Sequence, residues 1–283
     1  VYGVPVIYVD NCFDSPKDEY PQVAPRRVGY IAQDLTSAFQ EIKELTGVEL
    51  TQEALHTATV ENAKLFYGML EVWKLQRADP VPLSWVDLVL LFYLIAGPER
   101  RVLQEGVTAI NTLLRESKQR VDQGKGVMEK GAPRVLVLAD QATDPSIFRM
   151  FENVGLAIGG TFLDWVSPQE MEKSKYTTFE ERTAEKMLAC GLYHGVEGVV
   201  YRLKQQCEFY KVDGVLAFYP FSCRPVTISP LIAKKVIEEE LNIPVLVLEG
   251  DWWDSRDYSA EALRTRVETF AEMLRMNKAA IAM

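Results

Sequence analysis

Cys223 is the residue whose type and setting best suit it to chemistry. It stands in Phe221-Ser222-Cys223-Arg224-Pro225, after an apolar run of strand character, Val215–Tyr219. A helix with its own start signal is predicted to follow, with Ser229 as N-cap and Pro230 at the first helical position. A second apolar run, Val245–Leu248, opens into an acidic, aromatic loop at Gly250–Tyr258. Strand, loop, helix and strand in that order outline one parallel crossover. Ligands of such sheets bind beyond the carboxyl ends of the strands, and both loops leave from there. A thiol in that place can serve as a nucleophile, bind a soft metal centre, or simply occupy a loop. A nucleophile needs a general base, and the sequence places neither His56 nor His194 to supply one. A metal role needs more thiolates, because iron–sulfur clusters are held by several cysteines.

The other candidates carry less. Cys207 shares a helix face with Val200 and Leu203, which predicts a buried thiol acting as a small hydrophobe. Cys190 ends a helix before Gly191 and reads the same way. Cys12 falls in a loop with Asp10, Asn11 and Asp14, and His194 in a loop between two helices. The loop after Leu248 contains Asp251, Asp254, Arg256 and Asp257. Paired carboxylates can do acid–base work, but an arginine among them points to an ion-pair network that ties the loop down.

These residues need a scaffold, and 283 residues are enough for about two domains. With 48% hydrophobic and 25% charged residues the composition is ordinary for a soluble protein. A net charge of −9 argues against nucleic acid or an anionic membrane surface as the main partner. Trp85–Ala96, the longest apolar run, is too short to span a bilayer and reads as a buried helix. No charged-then-apolar leader precedes the first strand. Four cysteines and two histidines without CxxC or HxxxH spacing predict neither a self-contained zinc site nor a disulfide framework, which fits a reducing cytoplasm. No GxGxxG or GxxxxGK[ST] follows a strand, and Gly159-Gly160 alone is a weak phosphate signal.

In order, Val4–Val9 reads as a short buried strand, followed by a helix with Val28, Ile31, Leu35, Phe39 and Ile42 on one face and Gly47 closing it. Residues 1–50 thus read as the end of an α/β domain whose beginning lies outside this sequence. Residues 51–130 read as helical: Thr51 caps one helix, Asp79–Pro82 breaks it, and Ser84 with Asp87 caps the next. A further helix with Val107, Ile110 and Leu114 inward runs to Gly124-Lys125-Gly126. From 131 to 283 strands and helices alternate. Strands are expected at Arg134–Ala139, Leu156–Ile158, Val215–Tyr219 and Val245–Leu248, with a capping box at Ser167-Pro168-Glu170 and a last helix from Ser259. The fold class predicted is α/β, a flavodoxin-like doubly wound parallel sheet after a helical segment and the remnant of a second α/β domain.

Cys223-Arg224-Pro225 after DGVLAFYPFS, with Gly250-Asp251, Asp254, Arg256 and Arg264-Thr265-Arg266 downstream, strongly resembles the carboxyl-terminal domain of 2-hydroxyacyl-CoA dehydratase subunits. That family includes ATP-dependent benzoyl-CoA reductase subunits. The resemblance extends in layout over nearly the whole chain, and its last quarter is diagnostic. It implies an oxygen-sensitive enzyme subunit with an acyl-CoA substrate, a homologous second subunit, and an ATP-dependent iron–sulfur activator that delivers one electron. It also implies a [4Fe–4S] cluster held by three cysteines of one subunit. Of these, only Cys223 carries over, because the other two belong to the amino-terminal domain of the family. Ser222 and Arg224, beside it, become candidate substrate contacts. The implied reaction is radical elimination of water from a 2-hydroxyacyl-CoA. Two other functions stay open on the sequence: a benzoyl-CoA reductase-type or double-cluster reductase subunit, and a catalytically silent binding or assembly subunit.

Overall fold

The computed structural model describes residues 3–10, 23–96, 103–138, 145–161, 174–189, 196–219, 224–250, 254, 256 and 259–282. The described chain is mostly helical, with one all-parallel sheet of four strands. It divides into two compact units: residues 1–62 with 165–201, and residues 63–164 with 202–283.

In the first unit, α1 (Pro25–Thr46) packs on α6 (Phe179–Ala189). Proline at the first position suits α1 because its missing N–H would have no helical acceptor there. Gly47 ends the helix at φ 72°, in the left-handed region that glycine enters without Cβ strain, and its N–H closes on the Lys43 carbonyl. The predicted apolar stripe is the buried one: Val28, Ile31 and Leu35 meet Ala184 and Leu188 in a single cluster. Phe39 adds a tilted ring contact with Phe179 at 6.0 Å.

The Val4–Val9 expectation is corrected. Residues 3–10 form no strand, and Val4, Val6 and Tyr8 are 71%, 63% and 82% exposed. A strand needs a ladder partner, and none pairs with this segment among the described residues. Side chains of α1 hold it instead: Asp34 accepts the Asp10 N–H at 2.6 Å, and the Tyr30 hydroxyl donates to the Asp10 carboxylate.

α2 (Gln52–Leu75) starts where Thr51 predicts, with the Thr51 hydroxyl accepting the Ala54 N–H. Within the second unit its later turns bury Met69, Val72 and Trp73. Gly68 lets α4 (Leu103–Asp122) approach closely, because a Cβ there would meet Ile110 at 2.3 Å. α3 (Trp85–Ala96) opens on the predicted capping box: the Ser84 hydroxyl accepts the Asp87 N–H, and the Asp87 carboxylate accepts the Ser84 N–H. The Glu152 carboxylate of α5 (Pro145–Asn153) accepts the Trp85 N–H at 2.7 Å, and burial raises its pKa above the ordinary glutamate value.

The sheet runs β2 (Ala157–Thr161), β1 (Arg134–Leu138), β3 (Gly214–Tyr219), β4 (Val245–Glu249). Val135, Leu136 and Val137 of β1 and Val215 through Phe218 of β3 are all 0% exposed. Burial at successive residues, which point to opposite faces, means both faces are covered. Each of the valine, leucine and phenylalanine side chains contributes about 1.5–3 kcal/mol of transfer free energy. Gly159 and Gly160 are packing glycines: a Cβ would meet Arg134 Cγ at 2.5 Å or the Tyr210 ring at 2.3 Å.

The amino end of the sheet is tied by polar groups. The buried Arg134 guanidinium donates to the Gln76 and Ala78 carbonyls at 2.6 and 2.7 Å, and burial lowers its pKa against the pull of Asp79 and Asp213. Gln76 also reaches the Leu83 and Ile158 carbonyls, both at 3.0 Å.

α7 (Val196–Tyr210), α8 (Arg224–Leu241) and α9 (Ala260–Ala282) complete the chain. α9 buries the predicted face of Leu263, Val267, Phe270 and Leu274. α8 is corrected: it begins at Arg224, not at Ser229-Pro230. Proline fits a first turn, where the N–H it lacks is not needed and its fixed φ is already helical. Pro230 then sits inside the helix and gives up one backbone bond there. The capping box at Ser167-Pro168-Glu170 lies outside the described residues. No described helix is long and apolar enough to cross a membrane.

Candidate functional site

The chain leaves β1 toward β2 on one side, then returns past β1 to β3 and on to β4. The order therefore reverses between β1 and β3, neighbours paired through Leu138 and Ala217 near their carboxyl ends. Such a reversal is where parallel α/β sheets present their ligand crevice, because the two connections part in opposite directions. The segment after β3 holds the sequence candidates.

Ser222 and Cys223 lie outside the described residues, as do Cys12, Cys190, His194, Asp251 and Asp257. Arg224 is described as the first residue of α8 rather than as part of the loop. The candidate stretch between β3 and α8 is thus confined to residues 220–223. Asp254 and Arg256 are described together: the guanidinium donates to both carboxylate oxygens, with Nε–Oδ1 at 2.8 Å and Nη2–Oδ2 at 2.5 Å. The Arg256 bonds hold the Asp254 carboxyl down at about 2. A carboxylate so committed stays ionised and is a poor proton donor, and within this described pair the arginine engages an acid as the sequence predicts.

Cys207 is 1% exposed, beside Leu203 at 0%, as its helical register predicts. Burial first, and Glu208 second, push its thiol up to about 12. Metal ligation needs the thiolate, so Cys207 does not suit a cluster. No three histidine, cysteine or acidic side chains gather to hold a metal ion among the described residues. The described residues therefore do not make up an iron–sulfur site by themselves.

Sequence reading overlooked a polar group on α7. Arg202, 1% exposed, lies one turn before Gln206, 5% exposed, whose side-chain amide donates to the carbonyl of Thr161, the last residue of β2. The signal was there: Arg202 and Gln206 fall at i and i+4, beside the apolar positions Leu203 and Cys207.

Known proteins sharpen this picture. Residues 4–274 match the family model described as 2-hydroxyglutaryl-CoA dehydratase, D-component. The chain is 24% identical over 285 residues to the (R)-2-hydroxyglutaryl-CoA dehydratase subunit alpha of Acidaminococcus fermentans, an alignment covering 98% of this chain and 56% of that protein. It is 22% identical over 286 residues to the lactoyl-CoA dehydratase subunit alpha of Anaerotignum propionicum, covering 98% and 64%. The putative dehydratase subunit YjiM of Escherichia coli is 23% identical over 239 residues, covering 82% and 60%. The chain thus spans 56 to 64% of the length of these relatives. With the match running through both compact units and every described strand, the chain belongs to the 2-hydroxyglutaryl-CoA dehydratase D-component family.

Proposed function

We propose that this chain is part of a subunit of a 2-hydroxyacyl-CoA dehydratase-type iron–sulfur enzyme. The reaction is radical elimination of water from a 2-hydroxyacyl-CoA after one-electron activation by an ATP-dependent partner. The observation that carries this reading is the family match over residues 4–274, which includes the Ser222-Cys223-Arg224 stretch. Two of the relatives are named as acyl-CoA dehydratase subunits, which favours dehydration over ring reduction and a second subunit over a lone chain.

The fold supports the same reading. The strand order β2-β1-β3-β4 is that of the first four strands of flavodoxin-like sheets, so residues 131–283 are read as the flavodoxin-like domain. Residues 51–130 are read as the helical segment and 1–50 as the end of an amino-terminal α/β domain. Cys223 is assigned as the one cluster ligand of this chain, with its sequence neighbours Ser222 and Arg224 as candidate substrate contacts. Connectivity makes Cys223 the residue just before the 18-residue helix α8. The remaining ligands are assigned to polypeptide outside this sequence.

The test is anaerobic reconstitution of the complete subunit pair with iron and sulfide, for the wild type and for Cys223→Ala. Loss of the visible absorption band and of bound iron in the variant is the expected result. An unchanged band and iron content would remove Cys223 from the ligand set. Turnover of a 2-hydroxyacyl-CoA by the activated pair separates the enzyme from a silent assembly subunit.

A further inference from the structure

Among the described residues β4 is the last strand of the sheet, and side chains rather than a fifth strand lie along its open side. The register shows which backbone groups face that side. The Val215 N–H donates to the Pro244 carbonyl, and the Gly250 N–H donates to the Tyr219 carbonyl. In a parallel ladder both groups of a residue point the same way, so the even-numbered residues from 244 to 250 bond to β3. Val245, Val247 and Glu249 therefore turn their N–H and C=O away from it.

Three of those outward groups, both of Val245 and the carbonyl of Val247, are met by two helices. On α8, Glu238 accepts the Val245 N–H at 3.1 Å, and Lys234 Nζ donates to the Val245 carbonyl at 2.8 Å. Lys234 and Glu238 also bond to each other at 2.5 Å, one turn apart. One side-chain pair thus presents an acceptor and a donor to a single residue, as a neighbouring strand does. On α9, Arg266 donates to the Val247 carbonyl at 2.7 Å. Glu249, the third outward residue, is exposed and acidic. An exposed i,i+4 ion pair is worth only about 0.3–0.5 kcal/mol, which gives little reason by itself for the pair to be there. Covering the unpaired backbone of an edge strand is a stronger reason, since such a row of groups is a template for another chain.

We propose that Lys234, Glu238 and Arg266 act as a side-chain surrogate for a fifth strand and close the β4 edge to strand addition. This gives Arg266, one of the residues that carry the family resemblance, a backbone-capping role at the edge of the sheet. Partner subunits then join through other surfaces.

The test compares the wild type with the Lys234→Ala/Glu238→Ala/Arg266→Ala variant and with Glu238→Gln, which keeps the oxygen that accepts from Val245. Sedimentation velocity over a concentration series reads association, and amide hydrogen exchange reads the edge. The triple variant is expected to associate further than the wild type as concentration rises, with the Val245 amide exchanging about tenfold faster or more. Glu238→Gln is expected to match the wild type in both. A folded triple variant that sediments as the wild type at every concentration overturns the proposal. Should the triple variant not fold, exchange in the wild type decides. Protection at the Val245 amide comparable with that at Leu246, which bonds to β3, supports the proposal, and free exchange at Val245 overturns it.

Discussion

Asp213 grips the backbone of Arg134 through both its carboxylate and its own N–H. The Asp213 carboxylate accepts the Arg134 N–H at 2.7 Å, and the Asp213 N–H donates to the Arg134 carbonyl at 2.7 Å. Lys278 Nζ closes on the same carboxylate oxygen at 2.9 Å. The starts of β1 and β3 are thereby locked in register by one aspartate, which also fixes where their carboxyl ends lie. Since the candidate stretch 220–223 departs from β3, the strand that carries it is set from the opposite end of the sheet.

Asp213→Ala removes a charged acceptor and leaves a part-buried N–H and Lys278 without it. The expected cost is about 2–3 kcal/mol, since bonds to charged groups are worth about 1.5–3 kcal/mol and an abandoned donor adds its desolvation. Urea unfolding of the variant against the wild type reads it. A loss below half a kcal/mol would show the lock to be ornamental.

Two glycines predict opposite signs. Gly160→Ala drives a methyl group into the Tyr210 ring at 2.3 Å, and overpacking of that kind costs roughly 1–3 kcal/mol. Gly29 lies exposed on α1 with nothing within 4 Å of an added Cβ, so Gly29→Ala is expected to stabilise by roughly 0.5–1 kcal/mol. Thermal melts of the pair check this, and equal shifts would contradict the packing account.

What the sequence disclosed follows from the range over which each signal acts. Helix caps are local, so Thr51, Ser84 with Asp87, and Gly47 are legible from a few residues. Apolar periodicity is nearly as local, and it placed Cys207 in the core and Leu263, Val267, Phe270 and Leu274 on one face. Val4–Val9 failed because a strand needs a ladder partner, which no local pattern reports, and none pairs with it among the described residues. The start of α8 failed because Ser229-Pro230 is a good start signal, yet Pro225 is an equally good one five residues earlier. The two-helix cover over β4 has no local signature, since Lys234, Glu238 and Arg266 meet only once the register is set. Cys223 was singled out by its neighbours in sequence and by resemblance, and it lies outside the described residues.

Cys207 predicts a pH dependence. Its folded pKa, about 12, lies above the ordinary thiol value of 9.0 because the buried thiolate is disfavoured. The unfolded chain gives up this proton first, so the group lowers stability as pH rises above about 9, with a slope approaching ~1.4 kcal/mol per pH unit. Below the ordinary thiol value both states keep the proton and the contribution is flat. The difference in stability between the wild type and Cys207→Ala, followed from pH 7 to 10.5, isolates it. Alkylation at pH 8 is expected to leave Cys207 unmodified until denaturant is added.

Glu152 predicts a substitution that helps. Its carboxylate accepts the Trp85 N–H at the start of α3, but burial raises its pKa and so penalises the charge. Sign follows from which state binds the proton more tightly. The folded chain does, so this group lowers stability as pH rises from the ordinary glutamate range toward its raised folded value. Glu152→Gln keeps an oxygen for Trp85 and removes the charge. It is expected to match or exceed the wild type at pH 7 and to lose that advantage near pH 4, where the carboxyl is already neutral. Glu152→Ala abandons the N–H and is expected to cost about 1–2 kcal/mol at both pH values. Denaturant unfolding of the three proteins at the two pH values checks this, and a Glu152→Gln variant weakened equally at both would mean that the negative charge itself is what α3 requires.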